Sequence, residues 1–353
     1  MTARGRQALA EGELGVALLH IQRRDLAAAA TCLEAAAAEG VSVGGNASLF
    51  HGAPALEFVL RCAGRSKPEV CEAVDGVVAH RLAAARRRRE VGARLTLAEF
   101  DLIRGLTGLG ALLLTRETGG PLLGEVLAYL VDLATPVRQT DGWMLPGWWS
   151  DRGPDDKELP GGHGNNGVAH GIAGPLALMS LAARDGHTAE GLTEAVYACV
   201  EWLERYGGFY WITREQLTQP AVSLPSRPSW CYGALGVARA RQLAAFVLGD
   251  PRRREAAEDT AMRVLADHPT AEGLTTDAGL CHGWAGQLAV TRAIAADAPA
   301  PDRFAESIAY LESKTTSMRE ALTKRGLMEG RAGAELVLAG PDTTGWTRAL
   351  LIN

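Results

Sequence analysis

Two cysteines stand at matching points of the chain, Cys231 ahead of Tyr232 in SWCYGALGVA and Cys281 ahead of His282 in LCHGWAG, and each pair runs straight into a glycine. Two thiolates and one imidazole suit zinc, and three protein ligands leave a fourth tetrahedral position open, as in catalytic rather than structural sites. Adjacent Cys281 and His282 can serve one ion because a tight turn, unlike a strand, lets consecutive side chains converge, and Gly283 removes the Cβ that would crowd the metal. With a neutral histidine the site is formally neutral, and a third thiolate makes it anionic. A substrate thiol entering the open position would therefore lose its proton below its free pKa of about 8.5 and stay nucleophilic. A lone cysteine in a helical chain is ordinarily a small buried hydrophobe, and that reading is kept for Cys32, Cys62, Cys71 and Cys199. What points to metal is the pairing at equivalent places of neighbouring repeats.

Those repeats are the elements that must position the ligands. The stretches EGELGVALL (from Glu11), HGAPALEFVL (from His51), RGLTGLGALLL (from Arg104), HGIAGPLALM (from His170), YGALGVARA (from Tyr232), HGWAGQLAV (from His282) and EGRAGAELVL (from Glu329) share the form x-G-x-x-G-apolar, with Ala55 replacing the second glycine in the second. The leading glycines recur every 40 to 66 residues, room for one helical hairpin each. Each glycine pair predicts a helix start where the chain bends sharply and packs closely. The intervening segments Asp25 to Glu39, Pro68 to Arg89, Leu122 to Leu133, Thr188 to Arg205, Arg252 to Leu265 and Asp302 to Leu322 have the mixed pattern of amphipathic helices. The expected fold is all-α: a toroid of about seven hairpins in one domain over residues 1–353, apolar helices inside, amphipathic helices outside, and glycine turns at one end. An open solenoid uses the same units but does not gather the turns round one cavity. Only eleven residues precede Gly12, so that place in the outer ring is either open or filled by the TGWTRALLIN tail.

Composition fits this reading. The chain has 353 residues, 47% of them hydrophobic, a net charge of -5, and no long alternation of apolar and polar residues that would promise a sheet. Dispersed basic residues make nucleic acid an unexpected partner. The run Arg86 to Arg89 reads as a solvated outer-helix face or as a site for an acidic leader peptide. The start lacks the apolar core of a signal peptide and no run approaches the roughly 20 residues of a membrane span, so a cytoplasmic protein without membrane insertion is expected.

The motifs SWCYGALGVA, LCHGWAG and GVAHGIAG closely resemble the signatures of the lanthionine synthetase C-like family, the cyclases of lanthipeptide biosynthesis, and the resemblance runs through all seven glycine turns. It implies an α/α toroid and a zinc-dependent Michael-type addition, in which a peptide cysteine thiolate attacks the β-carbon of a dehydroalanine or dehydrobutyrine in the same peptide to close a thioether ring. The implied zinc ligands are Cys231, Cys281 and His282. His170 is the implied acid/base, and Asp101, Arg227 and Tyr232 complete the set. Asp101 would orient His170, or is simply a carboxylate at a helix N-terminus. Arg227 and Tyr232 would stabilise the enolate oxygen, or pack behind the site. The implied partners are a dehydrated precursor peptide and the dehydratase that prepares it. Other family members join glutathione to dehydroamino acids, and a zinc-stabilised peptide-binding scaffold is the reading outside catalysis. A glycosidase would need two facing carboxylates, and a prenyl-transferring zinc site a carboxylate ligand. His163 reads as structural or substrate-facing rather than as a ligand. The Gly-, Pro- and Trp-rich stretch Gln139 to Gly167 reads as a loop that flanks the cavity, with Trp148 and Trp149 touching peptide, or as a structural plug. The small β-rich insertion with which some members engage a leader is not evident at this length.

Overall fold

A computed structural model describes residues 3–139, 141–218 and 227–353 of the chain. Seven helices form the inner layer: Glu13–Gln22, Ala53–Cys62, Leu106–Leu113, Ala173–Arg184, Ala234–Val247, Trp284–Asp297 and Arg331–Leu338. Each packs against the next, and the last packs against the first, so the ring closes. The first six are each followed by an outer helix: Leu26–Ala37, Pro68–Glu90, Gly120–Ala134, Leu192–Tyr206, Pro251–Ala266 and Ala305–Met318. An inner helix enclosed on all sides needs no polar face, and Leu106–Leu113 is buried at every position.

The glycine pairs set how closely these helices approach the chain that enters them. In the repeats with a second glycine, an added Cβ there would fall on the carbonyl oxygen six residues earlier, for example 2.1 Å from Trp230 at Gly236 and 2.0 Å from Leu280 at Gly286. In the second turn, where Ala55 stands instead, the leading Gly52 takes φ +73°, a left-handed conformation that reroutes the chain.

Backbone hydrogen bonds lace the turns into a rim. Leu9 donates to Phe50 (2.9 Å), Met328 to Ala10 (2.9 Å), Cys281 to Met328 (2.9 Å), Cys231 to Cys281 (3.2 Å), Val168 to Cys231 (2.9 Å) and Leu102 to Ala169 (3.1 Å). The bond from Met328 to Ala10 joins the seventh turn to the first, which is the closed toroid rather than the open stack.

The C-terminal segment does not take a place in the outer ring. Residues Leu350 to Ile352 are buried inside the barrel, where the Leu350 carbonyl accepts from Trp230 Nε1 (2.9 Å) and the Ile352 carbonyl from Arg239 Nε (2.9 Å). Four apolar residues in a row, Ala349 to Ile352, suit an interior plug better than a half-exposed outer helix.

The stretch from Gln139 to Gly167 is not a plain loop, and a small β-rich region is present after all. Strands β1 (Val137–Arg138) and β2 (Met144–Leu145) pair antiparallel, and β3 (Ser150–Arg152), β4 (Glu158–Asn165) and β5 (Trp211–Thr213) form a second antiparallel sheet in that order. Strands of two or three residues are too short to show alternation, and β4 carries Gly161, Gly162 and Gly164, which hide it. Among the described residues no helix is long and apolar enough to cross a membrane.

Candidate metal centre and active site

Because neighbouring turns are laced backbone to backbone, residues at the same register in successive turns meet. The ligand atoms of Cys231, Cys281 and His282 all lie within 4.8 Å of one another. The hydrogen bond from Cys281, with a further one from His282, holds the Cys231 thiol down at about 5, and Cys281, as the donor, is pushed up. The same thiolate raises His282. Two cysteine sulfurs and an imidazole this close together are a donor set that fits zinc.

One turn away, His170 Nδ1 lies 2.6 Å from Asp101 Oδ2. Asp101 is fully buried, and its Oδ1 accepts from the backbone amides of Arg104 (2.6 Å) and Gly105 (3.0 Å). One carboxylate oxygen thus accepts from the amides of the third turn while the other lies against the histidine. The Tyr232 ring stacks beside His170, with centroids 6.0 Å apart, and its hydroxyl accepts from Asn165 Nδ2 (3.0 Å). Burial pushes the Tyr232 phenol up, so it stays protonated at neutral pH.

These groups open on one cavity of about 470 Å³, lined by His170, Arg227, Cys231, Tyr232, Cys281 and His282, with Tyr210, Trp211, Phe50 and Met328 making apolar walls. The Arg227 Nε is buried and has no hydrogen-bond partner among the described residues. Its backbone amide donates to Tyr210 Oη (3.4 Å), which fixes the base of the side chain against the wall. Arg227 as a whole lines the cavity, so its guanidinium brings a cationic donor group to that wall.

The family model for lanthionine synthetase C-like proteins matches residues 6–350. The chain belongs to the lanthionine synthetase C-like family. Among solved structures it is similar to nisin cyclase, with a TM-score of 0.82 at 18% identity, covering 99% of this chain and 92% of that one. No curated protein sequence matches it.

Of the positions that the family resemblance singles out, Cys231, Cys281, His282, His170, Arg227 and Tyr232 meet at the cavity, and Asp101 stands behind His170. His163 is not among them: it is buried in β4, with Nδ1 3.0 Å from the Ser150 carbonyl, and burial holds its pKa low. Trp148 and Trp149 are buried as well, Trp148 edge-on to Trp202 and Trp149 donating to the Gly161 carbonyl (3.0 Å), which is the structural alternative for that stretch. Among the described residues of the stretch, only Pro154, at the β3–β4 turn, reaches the cavity wall. Three arginines of the run are paired on the outer layer, Arg86 with Glu125, Arg88 with Glu99 and Arg89 with Asp132, and Arg87 is exposed. Reading the lanthionine synthetase C-like motifs alone misses Asn165, which holds Tyr232, and the wall residues Tyr210 and Trp211. Asn165 has a sequence signal in its fixed distance from the next leading glycine, whereas Tyr210 and Trp211 lie outside any repeat.

Proposed function

We propose that the chain is a lanthipeptide cyclase of one domain, residues 1–353, which closes thioether rings in a dehydrated precursor peptide. The observation that carries this reading is the meeting of a Cys231–Cys281–His282 donor set and an Asp101–His170 pair in one cavity. Zinc held by those three residues would supply a nucleophilic thiolate at neutral pH from a substrate cysteine thiol.

The chain's own groups do the rest. His170 has Nδ1 committed to Asp101, which leaves Nε2 to exchange the proton. The new bond joins the cysteine sulfur to the β-carbon of the dehydroamino acid, the π electrons move towards the carbonyl oxygen, and the proton given up by the thiol is returned to Cα. Arg227, which lines the cavity, would donate to the enolate oxygen from its guanidinium, and Tyr232, kept protonated by burial, stands beside His170 as a second donor. The apolar walls exclude water from a reaction that neither gains nor loses atoms. A dehydratase acts earlier on the same peptide, and both proteins work in the cytoplasm.

The test uses purified protein and a dehydrated peptide that retains its cysteines. Ring closure consumes free thiol without change of mass, whereas addition of glutathione raises the mass and a binding scaffold does neither. We expect thiol loss at constant mass, one zinc per chain, and loss of both in Cys231→Ala. An active metal-free protein would overturn the assignment.

A further inference from the structure

A second register runs through the turns, six residues ahead of each leading glycine. In turns four to seven this position is Asn165, Arg227, Asp277 and Lys324. In each, its carbonyl accepts from the amide just after the leading glycine: Ile172 to Asn165 (2.9 Å), Ala234 to Arg227 (3.2 Å), Trp284 to Asp277 (3.0 Å) and Arg331 to Lys324 (2.9 Å). All four side chains therefore leave the rim from equivalent points. Three of them reach a residue that immediately precedes a leading glycine: Asn165 reaches Tyr232, Lys324 pairs with Glu329, and Asp277 Oδ2 lies 3.6 Å from His282 Nε2.

Asp277 is itself held in place. Its Oδ1 accepts from the Gly279 amide (2.6 Å), and a Cβ at Gly283 would lie 2.4 Å from that oxygen. His282, by contrast, sits on a turn between Cys281 and a glycine and is only half-buried, so packing alone does not fix its ring. Glu329 also faces the histidine, but Lys324 occupies its charge.

We propose that Asp277 is a positioning residue of the metal centre: when the site is filled its carboxylate accepts a hydrogen bond from the Nε2–H of His282 and holds the ring with Nδ1 presented to the cation. A carboxylate behind a ligating histidine fixes the tautomer and raises the basicity of the ligand nitrogen. This rests on the zinc reading above.

The test is the zinc affinity of the metal-free protein, measured by chelator competition, for wild type, Asp277→Asn and Asp277→Ser. Both variants keep an acceptor for the Gly279 amide and lose the charge. We expect each to bind one zinc about 10–100-fold more weakly than wild type, with a shifted visible spectrum of the Co²⁺ form and a thermal transition of the metal-free protein like that of wild type. Unchanged affinity and spectrum would overturn the proposal. So would weaker binding accompanied by a matching loss of stability in both variants, since Asp277 would then be a turn residue only. Wild-type protein that binds no zinc would instead remove the metal reading itself.

Discussion

Asp101 is the residue at which local structure and chemistry are hardest to separate, because one carboxylate serves the third turn and His170 together. Asp101→Asn separates them. The amide oxygen still accepts from Arg104 and Gly105, but an NH₂ group now faces Nδ1 of His170, and the imidazole must adopt the other tautomer. The expected result is a stably folded protein with its zinc content intact and ring closure slower by about 10²–10⁴-fold, the usual weight of a positioned acid/base; an unchanged rate would take His170 out of proton transfer. The grouping of Cys231, Cys281 and His282 was legible because two repeats carry cysteine at the same register, and register is visible in sequence. Asp277 and Asn165 share an equally regular register, but aspartate and asparagine are ordinary turn residues, so their identity raises no question until the contacts are seen. Tyr210 and Trp211 reach the cavity only because β5 pairs with β4, a long-range contact with no local signature.

At the scale of elements, the second glycines explain how a turn can deliver ligands accurately: the inner helix lies directly on the carbonyl that precedes the ligand. Gly286→Ala places a methyl 2.0 Å from the Leu280 carbonyl, one residue before Cys281. Either the helix or the ligand turn must move, and we expect a loss of about 1–3 kcal/mol, as for other overpacked sites, together with weaker zinc binding. Gly76 sits in the outer helix Pro68–Glu90 with open space where its Cβ would be. Gly76→Ala should therefore stabilise the fold by about 0.5–1 kcal/mol through helix propensity alone. Urea titration of the two variants checks both signs, and a tolerated Gly286→Ala would mean that close approach is not what the glycines provide. The helices were readable because glycine spacing and apolar runs mark their starts, whereas the strands were not, since pairing across distant segments rather than pattern creates them. The C-terminal plug was equally hidden: a short apolar tail has the same composition whether it lies inside a barrel or on its edge.

For the whole molecule, the two ends of the toroid are held by different forces. Backbone hydrogen bonds tie the turns at the end that holds the cavity, while ion pairs with buried or half-buried carboxylates tie the inner helices further along. Glu57, on the second inner helix, bonds Arg61 (2.8 Å) and Arg116 (2.8 Å), and Asp297, at the end of the sixth, bonds Arg184 (2.7 Å) and Arg239 (2.7 Å), which also grips the tail. Burial raises both carboxylates, but the hydrogen bonds from their arginines outweigh it and leave Glu57 and Asp297 below the ordinary carboxylate value. For a group lowered in the folded state, the stabilisation is present above its unfolded pKa of about 4 and is lost as pH falls through the folded value, because the unfolded chain takes up the proton first. The share of the stability that these two carboxylates carry should accordingly be constant from pH 7 to about 5 and be lost below about pH 4, read for Glu57 as the difference in urea midpoint between wild type and Glu57→Gln. In Glu57→Gln, Arg116 keeps its pair with Asp75 (2.6 Å) but its bonds to Glu57 lose their charge, and a loss of about 1.5–3 kcal/mol is expected at pH 7, with a shallower decline in acid because one of the titrating carboxylates is gone. A Glu57→Gln curve parallel to wild type from pH 7 to 3 would show that acid unfolding begins elsewhere in the ring.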